Sequence, residues 1–138
     1  LNPPVAATAD GGALLVTARE GSDFWRTTSY GFVHDDGHAL LADLSDGMAA
    51  EVTFVLDYTE QFDQAGVLVH AGGEQWVKAG VEISDGAPQV GAVVTRGGSD
   101  WSVSPVPGWP GREGTAGPTP RFPPTPPCRR RRASPWKN

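Results

Sequence analysis

The chain predicts an all-β fold of antiparallel strands, and three observations carry that reading. Residues 75–82 (QWVKAGVE) alternate strictly, with Trp76, Lys78, Gly80 and Glu82 on one side and Val77, Ala79 and Val81, continued by Ile83, on the other. That period of two is the signature of a β-strand. Strand-like stretches recur about every 10 to 12 residues, each closed by a glycine turn, the spacing of an antiparallel sandwich or barrel. No stretch carries the roughly 3.6-residue apolar period of an amphipathic helix. No internal repeat is visible, which argues against a propeller or solenoid.

Taken in order, residues 1–4 (LNPP) read as an extended lead-in, because each proline restricts its predecessor and lacks a donor. Asp10-Gly11-Gly12 is a turn before a first strand over residues 13–18 (ALLVTA). A break at residues 20–23 precedes a strand over 24–33 (FWRTTSYGFV), and a turn at 34–38 precedes another over 39–44. Residues 48–58 form the next expected strand, with Val52, Phe54 and Leu56 as core. Then come 64–71 (QAGVLVHA), a tight turn at Gly72-Gly73, the alternating strand at 75–82, a turn at Asp85-Gly86, and strands at 89–96 and 99–106.

The length of 138 residues suits one domain with a modest core, and 38% of residues are hydrophobic. The net charge of −5 divides unevenly. Residues 1–107 carry four basic groups against fifteen acidic ones, while 108–138 carry seven basic groups against one acidic. An acidic body repels phosphate backbones, so nucleic acid is not an expected partner of the folded part. The single cysteine, Cys128, permits no intrachain disulfide, which fits a reducing, cytoplasmic setting. No apolar run approaches the roughly 20 residues that span a bilayer, and no membrane partner is expected.

After Pro107 the composition changes. The last 31 residues hold eight of the thirteen prolines and the run Arg129–Arg132. Such a segment cannot build a sheet and reads as a disordered tail. Nuclear targeting and a solvated tail are two readings of it; the favoured one is an out-of-frame translation of a GC-rich coding sequence, replacing the true C-terminus.

Three clusters stand together in the body: Asp23-Phe24-Trp25-Arg26 with Tyr30-Gly31, Phe62-Asp63-Gln64-Ala65-Gly66, and Trp76-Val77-Lys78-Ala79-Gly80-Val81-Glu82. Val94-Thr95-Arg96 and Ser99-Asp100-Trp101-Ser102 follow. In this order the set resembles a family of concanavalin A-like proteins of unestablished function, relatives of the fungal "regulation of enolase" protein. The resemblance covers residues 1–107 and implies a concanavalin A-like jelly-roll β-sandwich of two antiparallel sheets. It also implies further strands where this chain has its Pro/Arg tail, so that the sandwich is expected to be incomplete at the C-terminus.

The candidate chemistry centres on the alternating strand. If Gly72-Gly73 makes a hairpin, Gln64 and His70 lie beside Trp76, Lys78 and Glu82. An indole that stacks on a sugar ring, with amide, ammonium and carboxylate groups for hydroxyls, suits a carbohydrate or similar polar ligand. The expected ligand-binding set is Gln64, Trp76, Lys78 and Glu82, with Trp25, Arg96 and Trp101 from the neighbouring motifs. The bland alternative is a Trp that packs in the core and a Lys–Glu pair that is merely solvated. Glycoside hydrolysis needs a second carboxyl group at about 5–5.5 Å or about 6.5–9.5 Å. Glu82 has none along its own strand, and only Asp63 or Asp100 stand as cross-strand candidates. His34 and His38 flank Asp35-Asp36 at a spacing that suits a helix rather than a turn, so no metal site is expected. No Ser-His-Asp order, P-loop or dinucleotide fingerprint is present, and no cofactor is expected. The reading is therefore a non-enzymatic binding module; the alternatives are a regulatory protein-interaction module and, third, an enzyme acting on glycosides.

Overall fold

A computed structural model describes residues 1–55 and 58–109. The readings of Leu56 as core and of the Pro/Arg tail lie outside the described residues. Among the described residues eight strands form, all antiparallel: β1 (Ala6–Asp10), β2 (Ala13–Thr17), β3 (Phe24–Arg26), β4 (Val33–Asp35), β5 (Gln64–Gly72), β6 (Gln75–Ser84), β7 (Ala87–Arg96) and β8 (Gly98–Pro105). Strands β1–β2 and β3–β4 are two-stranded hairpins, and β5-β6-β7-β8 is a four-stranded meander. The all-β expectation is met. Among the described residues no helix is long and apolar enough to cross a membrane.

The meander follows the sequence pattern closely. Its turns carry the backbone they need: Asp85-Gly86 has φ of 52° and 75°, the left-handed pair of a two-residue hairpin loop, while Gly72 (φ 98°) ends β5 after a bulge and Gly73 (φ 54°) opens the two-residue loop to Gln75. Register then aligns four rows on one face. His70, Trp76, Thr95 and Ser99 form the first, and Leu68, Lys78, Val93 and Trp101 the second. Gly66, Gly80, Gly91 and Val103 form the third, and Gln64, Glu82, Gln89 and Pro105 the fourth.

This polar and aromatic face is the covered one. Phe24 and Trp25 of β3 lie on its first two rows and make a core with Trp76 and Val93, against which Leu68 and Trp101 pack. Phe24 meets Trp76 edge-on at 5.8 Å between ring centres. The second layer is pinned by hydrogen bonds: the Arg26 N–H donates to Ser99 Oγ at 2.9 Å, and Ser99 shares a buried hydroxyl bond of 2.9 Å with Thr95. On the opposite face Val81 is buried and Val77, Ala79 and Ile83 are half-buried.

Three sequence readings need correction. Strand β1 arises from Ala and Thr residues with no apolar alternation, and it forms because the Gly11-Gly12 turn folds it onto β2 in register. The expected strand over 24–33 is broken, since Thr27, Ser29 and Gly31 take φ of 56°, 62° and 74° and reverse the chain between β3 and β4. The expected strands over 39–44 and 48–58 do not form among the described residues. No strand pairs with them, Leu40, Leu41, Leu44 and Met48 are exposed, and Val52 is 39% exposed rather than core. A strand without a neighbour has unpaired backbone groups and no apolar face to bury.

Candidate functional site

The site grows from one acidic residue at the mouth of β3. Asp23 Oδ1 accepts the Phe24 N–H at 2.7 Å, Gln64 Nε2 at 3.1 Å and Lys78 Nζ at 2.5 Å. The turn behind it is fixed as well, because the Asp23 carbonyl accepts the N–H groups of Asp36 and Gly37 at 3.1 and 2.8 Å. Asp23 thus does what an aspartate in a turn does, bonding local backbone, and also draws β5 and β6 toward β3.

Beside it lies Glu82, whose Oε1 accepts the Trp101 indole N–H at 2.9 Å. Burial pushes the Glu82 carboxyl above the usual carboxylate range; the nearby Lys78 and the Trp101 bond pull it partly back. Behind the sheet edge, Tyr58 bridges β5 and β6. Its hydroxyl accepts the Ala65 N–H at 3.0 Å and donates to the Val81 carbonyl, and burial pushes that phenol up.

Aromatic rings close around these groups. Trp25 lies 5.6 Å from Tyr30 and 6.2 Å from Trp101, and Phe62 lies 6.3 Å from Tyr30 and 6.5 Å from Trp101, centre to centre. The four rings make a box. Phe32 stacks on Tyr30 at 5.3 Å. These rings line a partly open cavity of about 40 Å³ that Asp23, Gln64, Lys78 and Glu82 also line.

The same four polar residues border a larger cleft of about 470 Å³. Its floor is the row Gly66, Gly80 and Gly91, and Leu14, Leu15, Val16, Phe54, Trp101 and Phe24 line it as well. The glycines are obligatory on steric grounds. A Cβ on Gly66 would stand 2.1 Å from the Ala79 carbonyl oxygen, and one on Gly80 2.1 Å from that of Ala65. The floor is therefore bare backbone between two rows of side chains.

Of the residues read from sequence, Gln64, Lys78, Glu82, Trp25 and Trp101 come together here. Trp76 sits elsewhere on the face. It is 3% exposed in the core, its indole N–H has no acceptor among the described residues, and neither cavity reaches it. Arg96 is exposed and, next to the inward Thr95, belongs to the opposite face. Asp63 accepts the N–H groups of Thr59 and Glu60 at 3.0 Å, and Asp100 is exposed on the far face. Among the described residues no group of three or more His, Cys, Asp or Glu is placed to hold a metal. His38 has a structural task, accepting the Arg19 N–H at Nε2 (2.9 Å) and donating from Nδ1 to the Asn2 carbonyl (2.7 Å).

Sequence reading missed Asp23 as a partner of Lys78, and Tyr30, Phe32 and Phe62 as walls. The aromatic clustering was visible in the chain, but the turns that aim these rings leave no periodic trace.

A family model described as "Protein of unknown function (DUF1349)" matches residues 1–115. The chain belongs to that family. Within reach of this DUF1349 chain by sequence is "Regulation of enolase protein 1" of Saccharomyces cerevisiae, 39% identical over 104 residues, which are 75% of this chain and 52% of the relative. The chain thus spans about half the length of that curated relative. A crystal structure of a functionally unknown protein from Saccharomyces cerevisiae superposes with a TM-score of 0.62 at 34% identity, covering 84% of this chain and 60% of that one.

Proposed function

We propose that this DUF1349 chain is a non-enzymatic β-sandwich binding module of concanavalin A-like type, which takes a carbohydrate or a similar polar ligand in the cleft above the glycine floor. The observation that carries the reading is one cleft in which Gln64, Lys78, Glu82 and Trp101 stand around bare backbone. Its volume of about 470 Å³ lies within the roughly 300–1,000 Å³ of small-molecule sites. Amide, ammonium and carboxylate groups match ligand hydroxyls, and the Trp101 indole among the lining residues supplies apolar surface for a sugar ring.

The acid groups argue for binding over hydrolysis. Glu82, pushed up by burial, has the makings of a general acid. The second carboxyl of such a pair would be Asp23, and its Oδ1 is already held by three donors. A group so engaged is poorly placed to act as base or nucleophile.

A glycan array followed by calorimetric titration tests the reading. Saturable binding of a saccharide is expected, weakened about tenfold in Gln64→Ala by loss of one buried hydrogen bond. Silence across the array, with Trp emission unmoved by any saccharide, rejects it.

A second reading, a regulatory protein-interaction module, draws on the name of the yeast relative and on the exposed Leu14, Leu15, Leu40 and Leu41. Exposed apolar side chains mark protein contacts where they join into one patch. Co-elution with an enolase that survives Gln64→Ala would favour this reading over the first.

A further inference from the structure

We propose that the aromatic box is a subsite for a cationic nitrogen, a primary to methylated ammonium group carried by the ligand of the cleft. The inference rests on the saccharide reading for the body of the ligand, but not for the nitrogen.

Size sets the first limit. The cavity of about 40 Å³ exceeds the roughly 10–15 Å³ that one water requires and falls far short of a whole small-molecule site. It has room for a group of a few heavy atoms. A pyranose ring belongs in the cleft, and only a substituent of it reaches the box.

Chemistry sets the second. Trp25, Tyr30, Phe62 and Trp101 form the walls with their rings 5.6–6.5 Å apart. Both indole N–H groups are already committed, that of Trp25 to the Thr28 carbonyl at 3.0 Å and that of Trp101 to Glu82. The rings that line the cavity stand at 59–89° to their neighbours, as adjacent walls of a box do, and have no indole N–H left to donate; a ring's π face attracts a cation by its quadrupole.

Charge sets the third. Lys78 and Asp23 offset each other as an ion pair, whereas Glu82 receives only a neutral indole N–H. With all three groups charged, Asp23 and Glu82 leave one negative charge beyond what Lys78 offsets. An anion is repelled by it, and an apolar group would bury Glu82 without compensation. A cation answers both the carboxylate and the rings.

Backbone strain is concentrated at the same place. Phe62 itself has φ of 70°, and Thr27 and Ser29, which aim Tyr30, have 56° and 62°. Such geometry in a bulky or β-branched residue costs energy and gathers at ligand clamps.

The test titrates the full chain, at about neutral pH, with tetramethylammonium, glucosamine and glucose, reading Trp emission and heat. Tetramethylammonium should saturate with a change in Trp emission, and glucosamine should bind about tenfold more tightly than glucose. Glu82→Gln should abolish that preference, and Phe62→Leu should weaken tetramethylammonium binding without any change of charge. If glucosamine and glucose bind equally and tetramethylammonium does not bind, the cation subsite is wrong and the saccharide reading survives. If tetramethylammonium binds and no sugar does, the subsite stands and the saccharide reading falls. Absence of all three responses overturns both.

Discussion

Glu82 is a residue of the candidate site whose chemistry the fold alters. Its carboxyl is pushed up by burial, more than Lys78 and the Trp101 bond pull it down. A carboxyl raised in the folded state favours the fold while protonated. That contribution is fully present below the unfolded value of about 4.3 and is lost as pH rises through the folded value. Wherever Glu82 is ionised, its burial is therefore a cost to stability. Glu82→Gln is expected to raise the urea midpoint at about pH 7, and the difference should close at about pH 4. Ligand binding should move the other way, with affinity for an ammonium falling as acid neutralises Glu82. A variant that gains stability and loses affinity together is the pattern of a residue kept for function.

At the scale of elements, the meander and its glycine row decide what the face can hold. Gly66→Ala would bring a Cβ to 2.1 Å from the Ala79 carbonyl oxygen, a clash with backbone that a rotamer cannot relieve. Denaturant titration should show a loss of about 1–3 kcal/mol or more. Gly108→Ala, with nothing within 4 Å of its added Cβ, should stay within about 0.5 kcal/mol. The strands β5 to β8 were legible in the sequence because alternation and paired turn residues agree there. Strand β1 was not, because Ala and Thr carry little apolar signal and only the turn recruits them. The strands expected over 39–44 and 48–58 were over-read among the described residues, since apolar residues promise a face but cannot supply the partner that buries it. That Gln64, Lys78 and Glu82 share one face was likewise legible, whereas the side that face turns to was not. Which face of a sheet is covered depends on where β3 docks, and Phe24 and Trp25 dock through contacts far away in sequence.

At the scale of the whole molecule, the two layers are joined through Arg26. Its Nη1 meets Asp35 of β4 at 2.6 Å, its Nη2 meets Glu74 in the β5–β6 turn, and its Nε faces the Gly97 carbonyl between β7 and β8. A planar fork makes these contacts at once, and an ammonium cannot. Arg26→Lys should cost about 1–2 kcal/mol in chemical denaturation, less in high salt because Asp35 and Glu74 are more than half exposed. The bond between Lys78 and Asp23 spans 55 positions of chain, and it has a consequence for linkage. The sheet supplies Lys78 and Glu82, while the β3 layer supplies Asp23 and Trp25, so the site exists only where the layers have met. A ligand that touches both is bound by the closed form alone, and its free energy of binding adds to the free energy of closure. Occupancy of the site and cohesion of the sandwich then become a single equilibrium.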